Sequence, residues 1–171
     1  AKKLEKLQQK FQDSHDIALP YAMILFNLSA EQTVLKKLKT TAKKIEKLQQ
    51  KFQDSHDIAL PYARFLVNLS AEQTVLKELE TTAKKLEKLQ QKFQDSHDIA
   101  EAFARILFIL STKQTVLKEL ETNAKKLEKL QQQFPESPDI ALQYAMILFN
   151  LSTEQTELNK LEATAKKLQE L

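Results

Sequence analysis

The chain has 171 residues, of which 42% are hydrophobic and 29% are charged, and its formal net charge at pH 7 is +3. It contains no cysteine, which excludes disulfides, thiolate chemistry and cysteine metal sites. Basic and acidic residues nearly balance, at 26 and 23, so no nucleic-acid partner is expected. Glycine is absent and there are only four prolines, so few residues suit hairpin turns and we predict an all-α fold.

No apolar run approaches the roughly 18 to 20 residues of a membrane-spanning helix. The first residues, AKKLEKLQQKF, do not have the pattern of a signal peptide. We therefore expect a cytoplasmic protein with no membrane partner.

The sequence repeats itself with a period of 41 residues. AKKLEKLQQKFQDSHDIA begins at Ala1, and close copies of it begin at Ala42, Ala83 and Ala124. Copies this similar indicate recent duplication or deliberate construction, so an engineered or idealised origin is one interpretation. We predict a single domain, residues 1–171, in which a partial fifth copy forms a terminal half-repeat helix. The predicted repeats are 1–41, 42–82, 83–123 and 124–164, followed by the partial copy 165–171.

Each repeat is predicted to hold a short helix A and a long, amphipathic helix B. In the first repeat, helix A is placed at about 16–28 and helix B at about 30–52. Ser14 has the position of an N-cap for helix A, and Ser29 with Gln32 has the spacing of a capping box for helix B. The equivalent serines are Ser55, Ser96 and Ser137 for helix A, and Ser70, Ser111 and Ser152 for helix B.

Helix A is apolar around most of its circumference, so neighbouring helices must cover it on two sides. One stripe of positions, spaced one turn apart, is left open by that packing. The stripe carries both arginines of the chain, and we predict that it lines a concave binding groove. The predicted groove residues are Leu19, Met23, Asn27, Leu60, Arg64, Asn68, Glu101, Arg105, Ile109, Leu142, Met146 and Asn150.

The chain resembles the tetratricopeptide family of helical repeats, in a form lengthened to 41 residues. The loop residue Pro135, followed by Ala141, Tyr144 and Ala145, has the family's spacing, although alanine stands where the family has a large residue. The resemblance implies a right-handed α-solenoid of stacked antiparallel helix pairs with a ligand groove along the helices A. HEAT-type helix pairs are the alternative family. The ligand-facing positions that the resemblance implies are Asp16, Leu19, Met23, Phe26 and Asn27 and their equivalents.

We expect no enzyme and no cofactor, because no nucleophile, base and orienting residue converge and no glycine-rich phosphate loop is present. The first functional hypothesis is a protein–protein interaction scaffold that binds an extended peptide in the groove. Arg64 and Arg105 favour an acidic peptide. A structural or engineered scaffold without a dedicated ligand is the alternative. RNA binding ranks third, because the repeats lack distinct base-reading side chains.

Two other patterns receive structural interpretations. His15, His56 and His97 share one register, but stacked repeats would hold them on the order of 10 Å apart, too far for a shared metal ion. The NLS triplets at Asn27, Asn68 and Asn150 match a glycosylation pattern but fall at the turn between helices. We expect neither pattern to be a functional site.

Four structural details are also predicted. Pro20 and Pro61 should kink helix A or delay its start in the first two repeats. Glu157, which replaces a valine of the other copies, should be at least partly exposed at the end of the solenoid. Glu101, one turn from Arg105, should pair with it. The first repeat carries a net charge of +3 and the fourth −2, which predicts weak head-to-tail self-association.

Overall fold

The computed structural model describes residues 2–31, 35–114, 116–154 and 158–170, without the side chains of residues 154 and 158–161. Within these ranges the regular secondary structure is entirely α-helical. The described helices are α1 Lys2–Lys10, α2 His15–Glu31, α3 Leu35–Lys51, α4 His56–Ala71, α5 Leu76–Lys92, α6 His97–Ser111, α7 Leu117–Gln133, α8 Pro138–Glu154 and α9 Leu158–Gln169.

The helices form two rows. The helices A, which are α2, α4, α6 and α8, pack directly against one another in sequence. Among the described residues, no Cα atom of one helix B lies within 8 Å of a Cα atom in the next helix B. The helices A therefore form the inner row of the array, which confirms the predicted all-α solenoid. Its predicted right-handed twist stays a prediction.

The core lies between the two rows and along the contacts between helices A. Each internal helix A buries an isoleucine or phenylalanine near its middle, for example Phe65 and Ile106. Each helix B is amphipathic and contributes an apolar stripe to the core, which in α5 includes Leu79 and Leu86. None of the described helices combines the length and the apolar character needed to cross a membrane.

The boundary between helix A and helix B differs from the prediction. Ser29, Ser70 and Ser111 lie in the last turns of helix A, where each hydroxyl donates to the carbonyl three residues earlier. They do not cap helix B, so the predicted capping box is wrong. Helix B begins five residues later than predicted, after Val75 and Val116, neither of which makes a side-chain capping bond. Helix A is correspondingly longer, and α2 and α3 both have 17 residues.

The buried glutamine of the connecting loop ties helix A to helix B instead. Gln73 Oε1 accepts a hydrogen bond of 3.0 Å from Thr82, and Gln114 Oε1 accepts one of 2.6 Å from Asn123. Both glutamines are at most 9% exposed. The predicted partners Gln32 and Gln155 lie outside the described residues.

The N-caps of helix A are confirmed at three of the predicted serines. Ser55 accepts from the Ile58 amide at 3.3 Å, and Ser96 accepts from the Ile99 amide at 3.4 Å. Ser137 does the same for α8, which begins at Pro138 as a helix with proline in its first turn should.

The histidines join successive repeats. His15 Nε2 lies 2.7 Å from Ser55 Oγ, the cap of the next helix A, and its ring meets Phe52 edge-on at 5.8 Å. His56 makes the equivalent contacts with Ser96 and Phe93. No histidine belongs to a candidate metal-binding cluster among the described residues.

A ladder of ion pairs connects successive helices B along the outer row. Each described rung joins a lysine to a glutamate 39 residues earlier, with Nζ–Oε1 distances of 2.6 to 2.8 Å. A buried tyrosine of helix A lies beside the glutamate in three of these rungs and interacts with it electrostatically, and Phe103 has the equivalent position in the fourth. The rungs are Lys44–Glu5 with Tyr21, Lys85–Glu46 with Tyr62, Lys126–Glu87, and Lys167–Glu128 with Tyr144.

Pro20 and Pro61 do not delay the start of their helices. The helices α2 and α4 begin at His15 and His56, in the same register as α6 at His97, and continue through the proline. The predicted late start is therefore wrong, whereas the alternative of a local kink stays a prediction. The predicted exposure of Glu157 concerns a residue outside those the structure describes.

Replacing Pro20 by alanine is expected to raise the free energy of unfolding by about 1–3 kcal/mol, because alanine restores a backbone donor inside α2 and removes a steric clash. Pro20 is exposed, so little packing is lost. The reverse change in α8, Gln143→Pro, should destabilise the protein. Urea unfolding followed by circular dichroism measures both, and unchanged stability in Pro20→Ala would contradict the expectation.

Candidate peptide-binding groove

An open cleft of about 340 Å³ lies on the inner row, across α2, α4 and α6. Its two arginines come from adjacent helices A at the same register, because Arg64 and Arg105 are one 41-residue period apart. Apolar side chains and two carboxylates complete its wall. The lining residues are Phe26, Arg64, Val67, Asn68, Asp98, Glu101, Ala102 and Arg105.

The structure brings together only the central part of the predicted groove. Arg64, Asn68, Glu101 and Arg105 line the cleft. The other predicted residues lie along the same row of helices but not in this cleft: Leu19, Met23, Asn27, Leu60, Ile109, Leu142, Met146 and Asn150. Met23 and Leu142 are more than half exposed, at 54% and 53%, so the row offers apolar surface at both ends.

Each arginine is held by an aspartate of the next helix A. Arg64 Nη2 lies 2.9 Å from Asp98 Oδ1, and Arg105 Nη2 lies 3.3 Å from Asp139 Oδ2. The predicted pairing of Arg105 with Glu101 is therefore wrong. All four side chains are about half exposed, from 47% to 50%, so each pair contributes only about 0–1 kcal/mol to stability.

Glu101 is engaged on its own helix and with the next repeat. Its carboxylate lies 3.4 Å from His97 Nε2 and accepts a hydrogen bond of 3.2 Å from Ser137 Oγ. The Glu101 side chain is only 19% exposed, so it is less available to a ligand than either arginine. Leu60 has the equivalent position in the second repeat, so among the first three repeats only the third has a carboxylate there.

The groove asparagines make contacts between repeats. Asn68 Nδ2 donates to Ser29 Oγ at 2.8 Å, and Asn150 Nδ2 donates to Ser111 Oγ at 3.4 Å. Ile109 occupies the corresponding position in the third repeat. These hydrogen bonds fix the register of neighbouring helices A. The asparagine amides that we predicted to face a ligand therefore already donate to side chains of the protein itself.

The helical projection that predicted the groove stripe did not identify four of the residues that line the cleft, which are Phe26, Val67, Asp98 and Ala102. Phe26, Val67 and Asp98 occupy positions that the tetratricopeptide resemblance implied, and Ala102 does not. Asp98 and Asp139 lie in the first turns of their helices, 34 residues after the arginines they bind. The recurrent aspartate at the start of each helix A is the signal that would have identified them.

Comparison with known protein families, with curated proteins and with solved structures gave no match for this chain.

Proposed function

We propose that the chain is a tetratricopeptide-like, right-handed scaffold that binds an extended peptide segment of a partner protein in the cleft on the inner row. One observation supports this most directly. Two half-exposed arginines of adjacent helices A, Arg64 and Arg105, face a common open cleft whose wall also offers Phe26, Val67 and Ala102. Such a cleft suits one carboxylate flanked by apolar side chains.

Arg64 is already paired with Asp98, so the carboxylate of the ligand must displace the aspartate in order to bind the arginine. Asp98 binds Arg64 in a half-exposed pair of low net strength, so the exchange costs little. A carboxylate enclosed between the arginines and the apolar wall is less hydrated than the aspartate it displaces. Its hydrogen bonds to guanidinium are correspondingly stronger.

The acidic residues of the cleft narrow the choice of ligand. Asp98 and Glu101 line the same space as the arginines, so a run of several acidic residues meets repulsion there. We therefore propose a segment with a single acidic side chain, or a chain terminus, between apolar residues. This refines the acidic partner predicted from the arginines alone.

Arg64→Ala is expected to weaken binding of a labelled peptide with one glutamate between leucines by about tenfold to a hundredfold. This corresponds to the loss of a charged hydrogen bond, about 1.5–3 kcal/mol. Arg64→Lys should restore only part of the affinity, because lysine lacks the bidentate geometry. Fluorescence anisotropy at low and high salt measures the effect, and salt should weaken binding to the wild type.

The matched control is Lys84→Ala, which removes the same charge from an exposed position of α5 outside the cleft. It should leave the affinity unchanged, and the glutamine version of the peptide should bind the wild type as weakly as it binds Arg64→Ala. Equal losses in Arg64→Ala and Lys84→Ala would show a general charge effect and contradict the proposal.

A scaffold with no dedicated ligand is the second candidate, including one of engineered origin. It is favoured by the pairing of both arginines with Asp98 and Asp139, which gives them a purely structural role between repeats. In that case Arg64→Ala weakens contact between repeats and no glutamate peptide binds better than its glutamine version.

A further inference from the structure

The two ends of the row of helices A expose the two halves of the contact that joins its internal members. The upstream face of α2, which has no described helix A before it, consists of Ile17, Pro20, Ile24 and Leu28. The downstream face of α8, which has no described helix A after it, consists of Leu142, Ala145, Phe149 and Ser152.

The burial of equivalent residues identifies the upstream face. In α4, which packs on α2, the equivalent residues are all buried: Ile58, Pro61, Phe65 and Leu69. In α2 the three aliphatic residues of the face are half-buried and Pro20 is exposed. This face is therefore covered wherever another helix A precedes it.

The same comparison identifies the downstream face. Leu142 and Phe149 of α8 are 53% and 63% exposed, whereas Leu19 and Phe26, their equivalents in α2, pack partly buried against the core. Ala145 is half-buried, whereas Ala22 is fully buried under α4. This face is covered wherever another helix A follows it.

The sequence of each exposed face matches a face that is already paired inside the protein. The downstream face of α8 has the same four residues at the same spacing as Leu19, Ala22, Phe26 and Ser29 of α2, on which α4 packs. The upstream face of α2 differs from that of α4 at one position, with Ile24 in place of Phe65. A second copy's α2 therefore fits on α8 as α4 fits on α2.

We propose that the 171-residue chain associates head to tail through these faces, with α8 of one copy packed on α2 of a second copy. The exposed side chain of Asn27 then reaches Ser152 of the neighbouring copy, as Asn68 reaches Ser29 within the chain. The net charges of the end repeats, +3 for residues 1–41 and −2 for residues 124–164, attract one another. The contact is heterologous, so it continues into open-ended stacks.

The outer row sets a cost for this contact. Within the chain, one helix B packs between two successive helices A. At the contact between copies, α9 of one copy, which packs on α8, and α1 of the next copy, which packs on α2, would both occupy that space. By the 41-residue period, residues 166–170 at the end of one copy correspond to residues 2–6 of α1 in the next, so the two segments overlap by more than one helical turn. One of the overlapping turns must unwind, so association is weak and requires high protein concentration.

Sedimentation velocity on the full chain tests the proposal. The weight-average sedimentation coefficient of the wild type should rise steadily with concentration, and more steeply at low salt. Pro20→Glu and Phe149→Glu each place a charge at an exposed position of one face, so each variant alone should remain a monomer. Circular dichroism establishes that both variants are folded.

Mixing the two variants separates head-to-tail packing from a symmetric contact. Pro20→Glu retains an intact downstream face and Phe149→Glu retains an intact upstream face, so the mixture should form a dimer that grows no further. The control is Val116→Glu, which changes a residue 53% exposed at the start of α7 and should associate like the wild type. Glutamate already stands at the equivalent position 157.

A wild type that stays monomeric at high concentration and low salt would overturn the proposal. So would a mixture that stays monomeric, or a Pro20→Glu variant that dimerises alone, which would indicate a symmetric contact between two α8 faces. Because neither altered residue lines the cleft that contains Arg64 and Arg105, these outcomes are independent of peptide binding.

Discussion

Replacing Ile106 by alanine is expected to lower the free energy of unfolding by about 2–5 kcal/mol, because the change leaves a cavity in a fully buried region. Ile106 lies at the centre of α6, is 0% exposed and faces the preceding helix A. The cavity therefore lies in the interface between α6 and α4, the helix A before it. Urea unfolding followed by circular dichroism gives the loss.

Ile24→Ala is the matched control, since it makes the same chemical change at the equivalent position of α2. Ile24 is half-buried, because no described helix A precedes it. Ile24→Ala removes less buried apolar surface, and water can fill the space that the side chain leaves. The destabilisation should therefore be less than half of that in Ile106→Ala. Equal losses would contradict the difference in packing between the end and the centre of the array.

Tyr62→Phe is expected to lower the free energy of unfolding at pH 7 by about 0.5–1.5 kcal/mol, because it removes a buried hydroxyl that lies beside the charged Glu46 in the ion-pair ladder. Phe103→Tyr is the reverse experiment in the same protein. It places a hydroxyl opposite Glu87 and Lys126, in the one described rung that lacks it, and should stabilise the protein.

The effect of Tyr62 depends on pH in a defined direction. Burial, and then the negative charge of Glu46, raise the pKa of the Tyr62 hydroxyl. Burial and the charge of Glu5 likewise raise the pKa of Tyr21 to about 12. An unfolded tyrosine has a pKa of about 10, so between about pH 10 and pH 12 the unfolded chain has lost protons that the folded chain retains. The tyrosines' contribution is therefore complete below about pH 10 and is lost as the pH rises.

Phenylalanine has no proton to lose, so the stability difference between the wild type and Tyr62→Phe should shrink above about pH 10. Lysine deprotonation weakens the ladder in both proteins and largely cancels in the difference. Urea unfolding of the two proteins across the alkaline range measures it. A difference that is constant from neutral to alkaline pH would show that the Tyr62 hydroxyl is not protected from ionisation in the folded state.

The repeat period and the alternation of helices could be predicted from the sequence, because they depend on local patterns that recur four times. The end of helix A could not. Ser29 and its equivalents fit both an N-cap and a hydroxyl bonded back to its own helix, and only the packed structure distinguishes these. For the same reason, the sequence did not predict that Gln73 is buried and accepts a hydrogen bond from Thr82.

The register of the two arginines on helix A was predictable, because a helical projection places Arg64 and Arg105 outside the packed sectors. Their partners were not. Asp98 reaches Arg64 only because of the offset at which α6 packs on α4, and one helix considered alone carries no information on that offset. A neighbour one turn away, such as Glu101 beside Arg105, was therefore a poor guide to the pairing.

The ion-pair ladder has a consequence for how such a chain can change in length during evolution. Each rung joins residues 39 positions apart, and each arginine pair joins residues 34 positions apart, so both kinds of contact run from one 41-residue copy to the next. Duplication or loss of 41 residues at any breakpoint therefore joins a glutamate of one copy to the lysine of its new neighbour. Unequal recombination between copies would therefore preserve the rungs of the ladder, so the outer row places little restriction on the number of repeats.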